Sequence, residues 1–248
     1  FAENFASPTN ATPHMHAASA ISARNGALTA FWYGGSDEGA RDVSIYMSVQ
    51  SGHGWTDQTP IVTREAVQSH LNRHIRKLGN ASVVRQPDGR LWMFFVTVSI
   101  GGWAGSAINL IESRDDGRTW SPPRRLVTSP FLNVSTLVRA NPFRYADGSI
   151  GLPAYHEFIG KFAELIRIDR DGRVIGKTRL STGRRALQPD VVVVDEARAV
   201  LLLRDGGPSP RHLLRASTDD GGKTWTEPTE IDMPNPDSAV DALALDGD

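Results

Sequence analysis

Short apolar runs separated by turn residues dominate the chain. The runs Leu28–Tyr33, Leu91–Val98, Ile150–Tyr155 and Val200–Leu203 have the length and the flanking punctuation of buried strands. Each follows a turn, at Asn25-Gly26, Asp88-Gly89, Asp147-Gly148 and Asp195-Glu196. Gly takes positive φ in such turns without steric cost, and Asp or Asn bonds nearby backbone amides. Before each turn lies another strand-like run, at Ala17–Ser22, Ala81–Arg85, Leu137–Phe143 and Val191–Val194. The turns recur every roughly 50 to 65 residues, which suits a four-stranded propeller blade plus its loops.

A second periodicity interlocks with the first. Ser113-Arg-Asp115-Asp-Gly117-Arg-Thr119-Trp120 returns with identical spacing as Thr218-Asp-Asp220-Gly-Gly222-Lys-Thr224-Trp225. A hydroxyl and a carboxylate can gather the amides of such a loop, and Thr-Trp returns the chain to a strand with an indole to pack between layers. Both segments therefore read as hairpin loops. A degenerate copy is expected at Ser48–Trp55, and the third unit has only the turn Asp169-Arg-Asp171-Gly172 at this place. One unit reads strand, turn, strand, loop, strand, box, strand. Four units are expected near residues 14–64, 78–129, 135–182 and 186–232, with the opening of a fifth at Asp237–Asp248. Only Glu65–Lys77 has a helical pattern.

Composition narrows the function classes. The 248 residues carry a formal charge of -1 with acidic and basic residues interspersed, so no basic stripe exists to track nucleic-acid phosphates. The absence of cysteine excludes disulfides and thiolate catalysis. No apolar run approaches the roughly 20 residues of a membrane-spanning helix. Phe1–Pro13 lacks an initiator Met and a signal-peptide pattern, and Asp246-Gly247-Asp248 stops where earlier repeats turn into a second strand. Residues 1–248 are accordingly expected to form one propeller domain that continues beyond the C-terminus.

The two boxes resemble the Asp-box, or BNR repeat, of sialidase-like (neuraminidase) proteins. Phe31–Asp42, Gly79-Asn80-Ala81, Tyr155-His156-Glu157, Leu187-Gln188-Pro189, Leu203-Arg204-Asp205 and Asn235–Asp241 extend the resemblance along the chain. It implies an all-β, six-bladed β-propeller, of which about four blades and the start of a fifth lie here. It also implies a ligand site at one end of the propeller axis. First strands would contribute His16, Asn80, Arg139, Asn141 and Gln188. Second strands and their loops would contribute Asp37, Arg41, Asp42, Trp103, His156, Glu157, Arg204 and Asp205. Such a ring of carboxylates, guanidinium groups, imidazoles and an indole suits a sugar.

The family uses an Arg triad for the sialic acid carboxylate, an Asp acid/base and a Tyr nucleophile supported by a Glu. Asp37, eleven positions ahead of Ser48, matches the acid/base place, and Arg204 resembles the triad Arg of the second half. Three departures accompany these matches. His14-Met-His16-Ala replaces the early Phe/Tyr-Arg-Ile-Pro segment, Gln188 stands where the supporting Glu belongs, and the last Arg and the Tyr would lie beyond Asp248. An amide cannot act as that base.

The expected function is hydrolysis of a terminal glycoside, an acidic one included, with Asp37 as general acid and His156 and Glu157 beside the reacting bond. Asp37, Glu38 and Asp42 also fit a solvated turn, Arg204-Asp205 an internal ion pair, and Trp103 either a sugar platform or a loop anchor. The alternatives are a non-catalytic glycan-binding propeller and a polysaccharide lyase acting on a uronate. The partner is a glycan, with no cofactor. His14, His16 and His156 are read as pocket-lining groups and not as metal ligands. Family analogy points to a periplasmic or secreted setting.

Overall fold

The computed structural model describes residues 6–7, 12–52 and 54–244. The chain divides into two compact units, Phe1–Leu126 and Val127–Asp248. Each contains two antiparallel sheets, and each sheet is one blade.

In the first unit, blade one is built from β1 (His14–Ser22), β2 (Leu28–Gly35), β3 (Ser44–Ser51), β4 (Gly54–Trp55) and β5 (Thr59–Thr63). Strands β4 and β5 both pair with β3. Helix α1 (Arg64–Leu71) leads to blade two, which comprises β6 (Lys77–Arg85), β7 (Leu91–Val98), β8 (Ser106–Ser113) and β9 (Arg124–Arg125). All eight residues of β7 are buried, and all but Thr97 are apolar. Phe31, Tyr33 and Ile45 of blade one share a core with Leu78, Met93 and Phe95 of blade two. The helix is shorter than the pattern over Glu65–Lys77 suggests. Thr63 Oγ1 caps its start by accepting from the Ala66 N–H at 3.3 Å, and Asn72 ends it in the left-handed region at φ 45°.

In the second unit, blade three runs β10 (Leu137–Val138), β11 (Phe143–Arg144), β12 (Ile150–His156), β13 (Phe162–Ile168) and β14 (Val174–Arg179). Blade four runs β15 (Ala186–Val193), β16 (Ala199–Asp205), β17 (His212–Thr218) and β18 (Thr229–Pro234). Leu165 and Leu180 pack with Leu201, Leu203 and Leu214 between the two sheets. The single strand expected over Leu137–Phe143 is broken: Val138 pairs with Ala154 and Phe143 with Gly151, and residues 139–142 stay off the ladder. Pro142 has no N–H to give it. Residues 235–244 carry no strand, and the turn expected at Asp246–Asp248 lies outside the described residues.

Three first strands share a one-residue irregularity. The register shifts between His16 and Ser19, between Gly79 and Ser82, and between Leu187 and Asp190. In each bulge one residue sits in the left-handed region: Ala17 at φ 51°, Asn80 at 47° and Gln188 at 47°.

Both complete boxes form the loops that their residues imply. Ser113 Oγ accepts the Gly117 N–H at 2.8 Å and donates to Asp115 Oδ1 at 2.8 Å. Asp115 accepts the Thr119 N–H at 2.9 Å and the Thr119 hydroxyl at 2.6 Å. Thr218, Asp220, Gly222 and Thr224 repeat the pattern. Trp120 meets Phe31 edge-on at 6.1 Å, joining its box to blade one. The copy at Ser48 departs from this form. Ser48 lies inside β3 with its hydroxyl donating to the Thr56 carbonyl at 2.7 Å. Gln50 and Ser51 then pair with Trp55 and Gly54 as a tight hairpin. Without the Asp, no carboxylate is present to gather a wider loop.

The Thr119 hydroxyl and amide, with Ser113, pull the Asp115 carboxyl down to about 2. A carboxyl is near 3.9 when unfolded, so the stabilisation is complete above that value and disappears as pH falls through about 2. The melting temperature of an Asp115→Asn variant should therefore lie below that of the parent at pH 7, with the gap closing between pH 4 and pH 2. Melts followed by circular dichroism test this, and a gap that pH leaves unchanged would refute it.

Candidate active site

The first unit presents Asp37 on a closed loop. Ser36 donates through its N–H and its hydroxyl to Asp42, each at 2.9 Å, so Asp42 staples the loop ends. The Ser36 hydroxyl holds the Asp42 carboxyl below the usual carboxylate range. Within the loop, Asp37 Oδ1 accepts the Glu38 N–H at 2.7 Å and the Asp37 carbonyl accepts the Ala40 N–H at 3.1 Å. The Asp37 and Arg41 side chains are exposed, and the Arg41 carbonyl accepts from Arg64 Nε at 2.9 Å.

Lys77, at the start of β6, connects this loop to Trp103. A Cβ on Gly39 would lie 2.9 Å from Lys77 Cε, and Lys77 Nζ stands 5.3 Å over the Trp103 ring. Trp103 opens a 3-10 turn before β8, with its indole over the Gly79 backbone. A Cβ there would meet the ring at 2.7 Å, so only glycine admits this approach. Trp103 is thus anchored on one edge and half-exposed. Asn80 follows, buried at the bulge. His16 is exposed on β1, its ring stacked on Tyr33 at 5.5 Å and parallel to His14 at 6.5 Å. Lys77 escaped the reading of the sequence, where its only signal is its place just before Gly79-Asn80-Ala81.

The second unit gathers its groups around Gln188. Gln188 Nε2 donates to the Tyr155 hydroxyl at 3.4 Å, and Gln188 Oε1 accepts from Arg204 Nη1 at 3.1 Å. A carboxylate here could only accept, so the amide serves a phenol and a guanidinium together. Arg204 Nε donates to Asp237 Oδ1 at 2.7 Å, and this bond holds the Asp237 carboxyl below its ordinary range. Arg211 Nη2 approaches the same carboxylate at 3.9 Å. Tyr155 and Asp237 are partners that chain position alone does not connect.

Arg139 forks onto Asp241 at 2.9 and 3.3 Å. Nearby Asp190, buried, accepts the Ala242 N–H at 2.7 Å, and burial pushes its carboxyl above the usual range. Asn141 is exposed. The His156 ring stacks on Phe162 at 4.8 Å, its Nδ1 accepts the Phe158 N–H at 3.3 Å, and burial lowers its pKa. The Glu157 N–H donates to Ser135 Oγ at 2.9 Å.

Arg204 and Asp205 do not pair with each other. Neighbours on a strand point to opposite faces, so Arg204 meets Asp237 while Asp205 turns inward. Asp205, expected at the ligand, has no exposed side-chain surface. Its Oδ1 accepts the Gly207 N–H at 2.9 Å, and its Oδ2 lies 3.3 Å from Arg185 Nη1 without hydrogen-bond geometry.

Four antiparallel blades with Asp-box loops define a β-propeller of the sialidase-like class. The chain belongs to the BNR repeat-like domain family, whose model matches residues 26–248. Its backbone is similar to the Hadza microbial sialidase Hz136, with a TM-score of 0.73 and 18% identity, covering 92% of this chain and 49% of that one. The NanB sialidase from Streptococcus pneumoniae gives a TM-score of 0.73 at 10% identity, covering 94% and 54%. The exo-beta-1,3-galactanase 1,3Gal43A from Clostridium thermocellum gives 0.63 at 14% identity, covering 92% and 50%. This chain therefore spans about half the length of these structures, and at such identities the likeness shows the fold alone. No curated protein matches the chain by sequence.

Proposed function

We propose that the protein is a glycoside hydrolase acting on a terminal sugar, with Arg204 as the substrate anchor. The observation that carries this reading is the state of Arg204. Two of its nitrogens are fixed by Asp237 and Gln188, while Nη2 has no partner among the described residues. A guanidinium held this way is pre-organised to donate to a sugar carboxylate or hydroxyl. The sialidase and galactanase folds named above support glycan chemistry by analogy only.

Turnover of a fluorogenic glycoside panel containing sialosides, galactosides and uronides tests the reading. Cleavage of one member is expected, and Arg204→Lys should raise its KM about tenfold, the loss of roughly 1.4 kcal/mol of binding, with little change in kcat. A panel left wholly uncleaved by the folded protein overturns it.

Gln188 favours a second reading, a glycan-binding propeller without catalysis. Its amide already bridges Tyr155 and Arg204 and supplies no base. Glycan binding without turnover would establish that reading.

A further inference from the structure

We infer that the second unit carries a separate binding site for a neutral pyranose, in the groove between blades three and four at the Asp-box ends of the strands. The argument comes from comparing the same place in the two units. In the first unit an ionic latch closes the groove. Arg85 donates from Nη1 to Asp116 Oδ1 at 2.6 Å and from Nε and Nη2 to the Ser22 carbonyl at 3.2 and 3.1 Å. Arg24 Nε adds a contact with Asp116 at 3.7 Å.

The equivalent positions in the second unit follow from register. Arg85 pairs with Leu91 at the end of β6, and Val193 pairs with Ala199 at the end of β15. Asp116 is the fourth residue of one box, and Gly221 is the fourth residue of the other. Arg24 lies two residues beyond Ser22, the partner of Leu28, and Ala146 lies two beyond Arg144, the partner of Ile150. All three latch residues are thus replaced by small or apolar ones. Val193, Gly221 and Ala146 all line the groove of about 370 Å³ that results. That volume lies within the range of small-molecule sites, roughly 300–1,000 Å³.

The lining specifies the ligand. Phe143, Tyr145 and Trp225 supply aromatic wall for the apolar face of a sugar ring. The Tyr145 hydroxyl and the Glu196 carboxylate have no partner among the described residues and offer contacts to ring hydroxyls. Arg198 is committed to Asp195 at 2.7 Å. An unpaired carboxylate beside an apolar wall accepts hydroxyl donors from a sugar ring, and the lining as a whole balances Asp195 and Glu196 against Arg144 and Arg198, as a neutral ligand requires.

Titration of the full chain with methyl β-D-glucopyranoside and methyl β-D-galactopyranoside, followed by saturation-transfer NMR, tests the inference. At least one should bind. Rebuilding the latch with Ala146→Arg, Val193→Arg and Gly221→Asp should abolish binding, whereas Arg204→Lys should leave it intact. The left-handed φ of Asp116, 59°, shows that a box accepts Asp at the place of Gly221. If the triple variant fails to fold, Glu196→Gln and Tyr145→Phe decide, each expected to weaken binding severalfold. Absence of binding by both neutral glycosides, or affinity unchanged in these variants, would overturn the proposal.

Discussion

An Asp37→Asn exchange is expected to lower turnover of the cleaved glycoside about a thousandfold with KM nearly unchanged, within the 10²- to 10⁴-fold range of general acid–base catalysis. The substitution is clean because of the loop around it. An asparagine carbonyl oxygen can still accept the Glu38 N–H that Asp37 Oδ1 accepts at 2.7 Å. The bonds from Ser36 to Asp42 close the loop independently of residue 37. Shape is thereby kept while the proton is lost. Steady-state kinetics on the cleaved panel member, alongside a thermal melt, makes the test. Activity within tenfold of the parent would make Asp37 an ordinary loop carboxylate, and a lowered melting temperature would mean that the loop itself had changed.

The second large effect is on stability. Arg185→Met should destabilise the protein by about 3 kcal/mol, the lower end of the 3–5 kcal/mol seen when one partner of a buried ion pair is removed. The lower end applies because Asp205 is fully buried whereas Arg185 is 40% exposed. The contact at 3.3 Å lacks hydrogen-bond alignment, so the attraction it provides is Coulombic. Loss of the exposed pair between Arg185 and Glu230 adds little. The melting temperature should fall by roughly 6–12 °C, at about 2–4 °C per kcal/mol for a chain of this size. Adding Asp205→Asn should recover most of that loss, since the amide still accepts the Gly207 N–H without a buried charge. A single variant within about 1 kcal/mol of the parent, or a double variant no better than the single, would contradict this account.

The sequence revealed the blades wherever a local rule decided the structure. Asp-Gly and Asn-Gly turns marked the hairpins, and hydroxyl, carboxylate and glycine at fixed offsets marked the two boxes. The bulges were invisible because they depend on pairing partners. Pro142 breaks one first strand, whereas three others absorb an extra residue at Ala17, Asn80 and Gln188 without a composition signal. The family resemblance offered candidate positions on second strands, but the partners of those side chains did not follow from it. Arg204 meets Asp237 across 33 residues, and Tyr155 meets Gln188 across the same separation. Neither distance follows from any helical or strand period. The adjacency of Arg204 and Asp205 suggested a pair, which strand alternation forbids.

The left-handed residues in β1, β6 and β15 bear on how such a scaffold can be altered. An extra residue on one strand reverses the side on which all later side chains emerge. The segments 14–16, 77–79 and 186–187 are therefore uncoupled from the alternation of the strand that continues beyond them. Each behaves as a short cassette clipped to its own stretch of the second strand. Grafting new side chains onto a cassette changes what that end of the blade presents, while the lower half keeps its register and its share of the core.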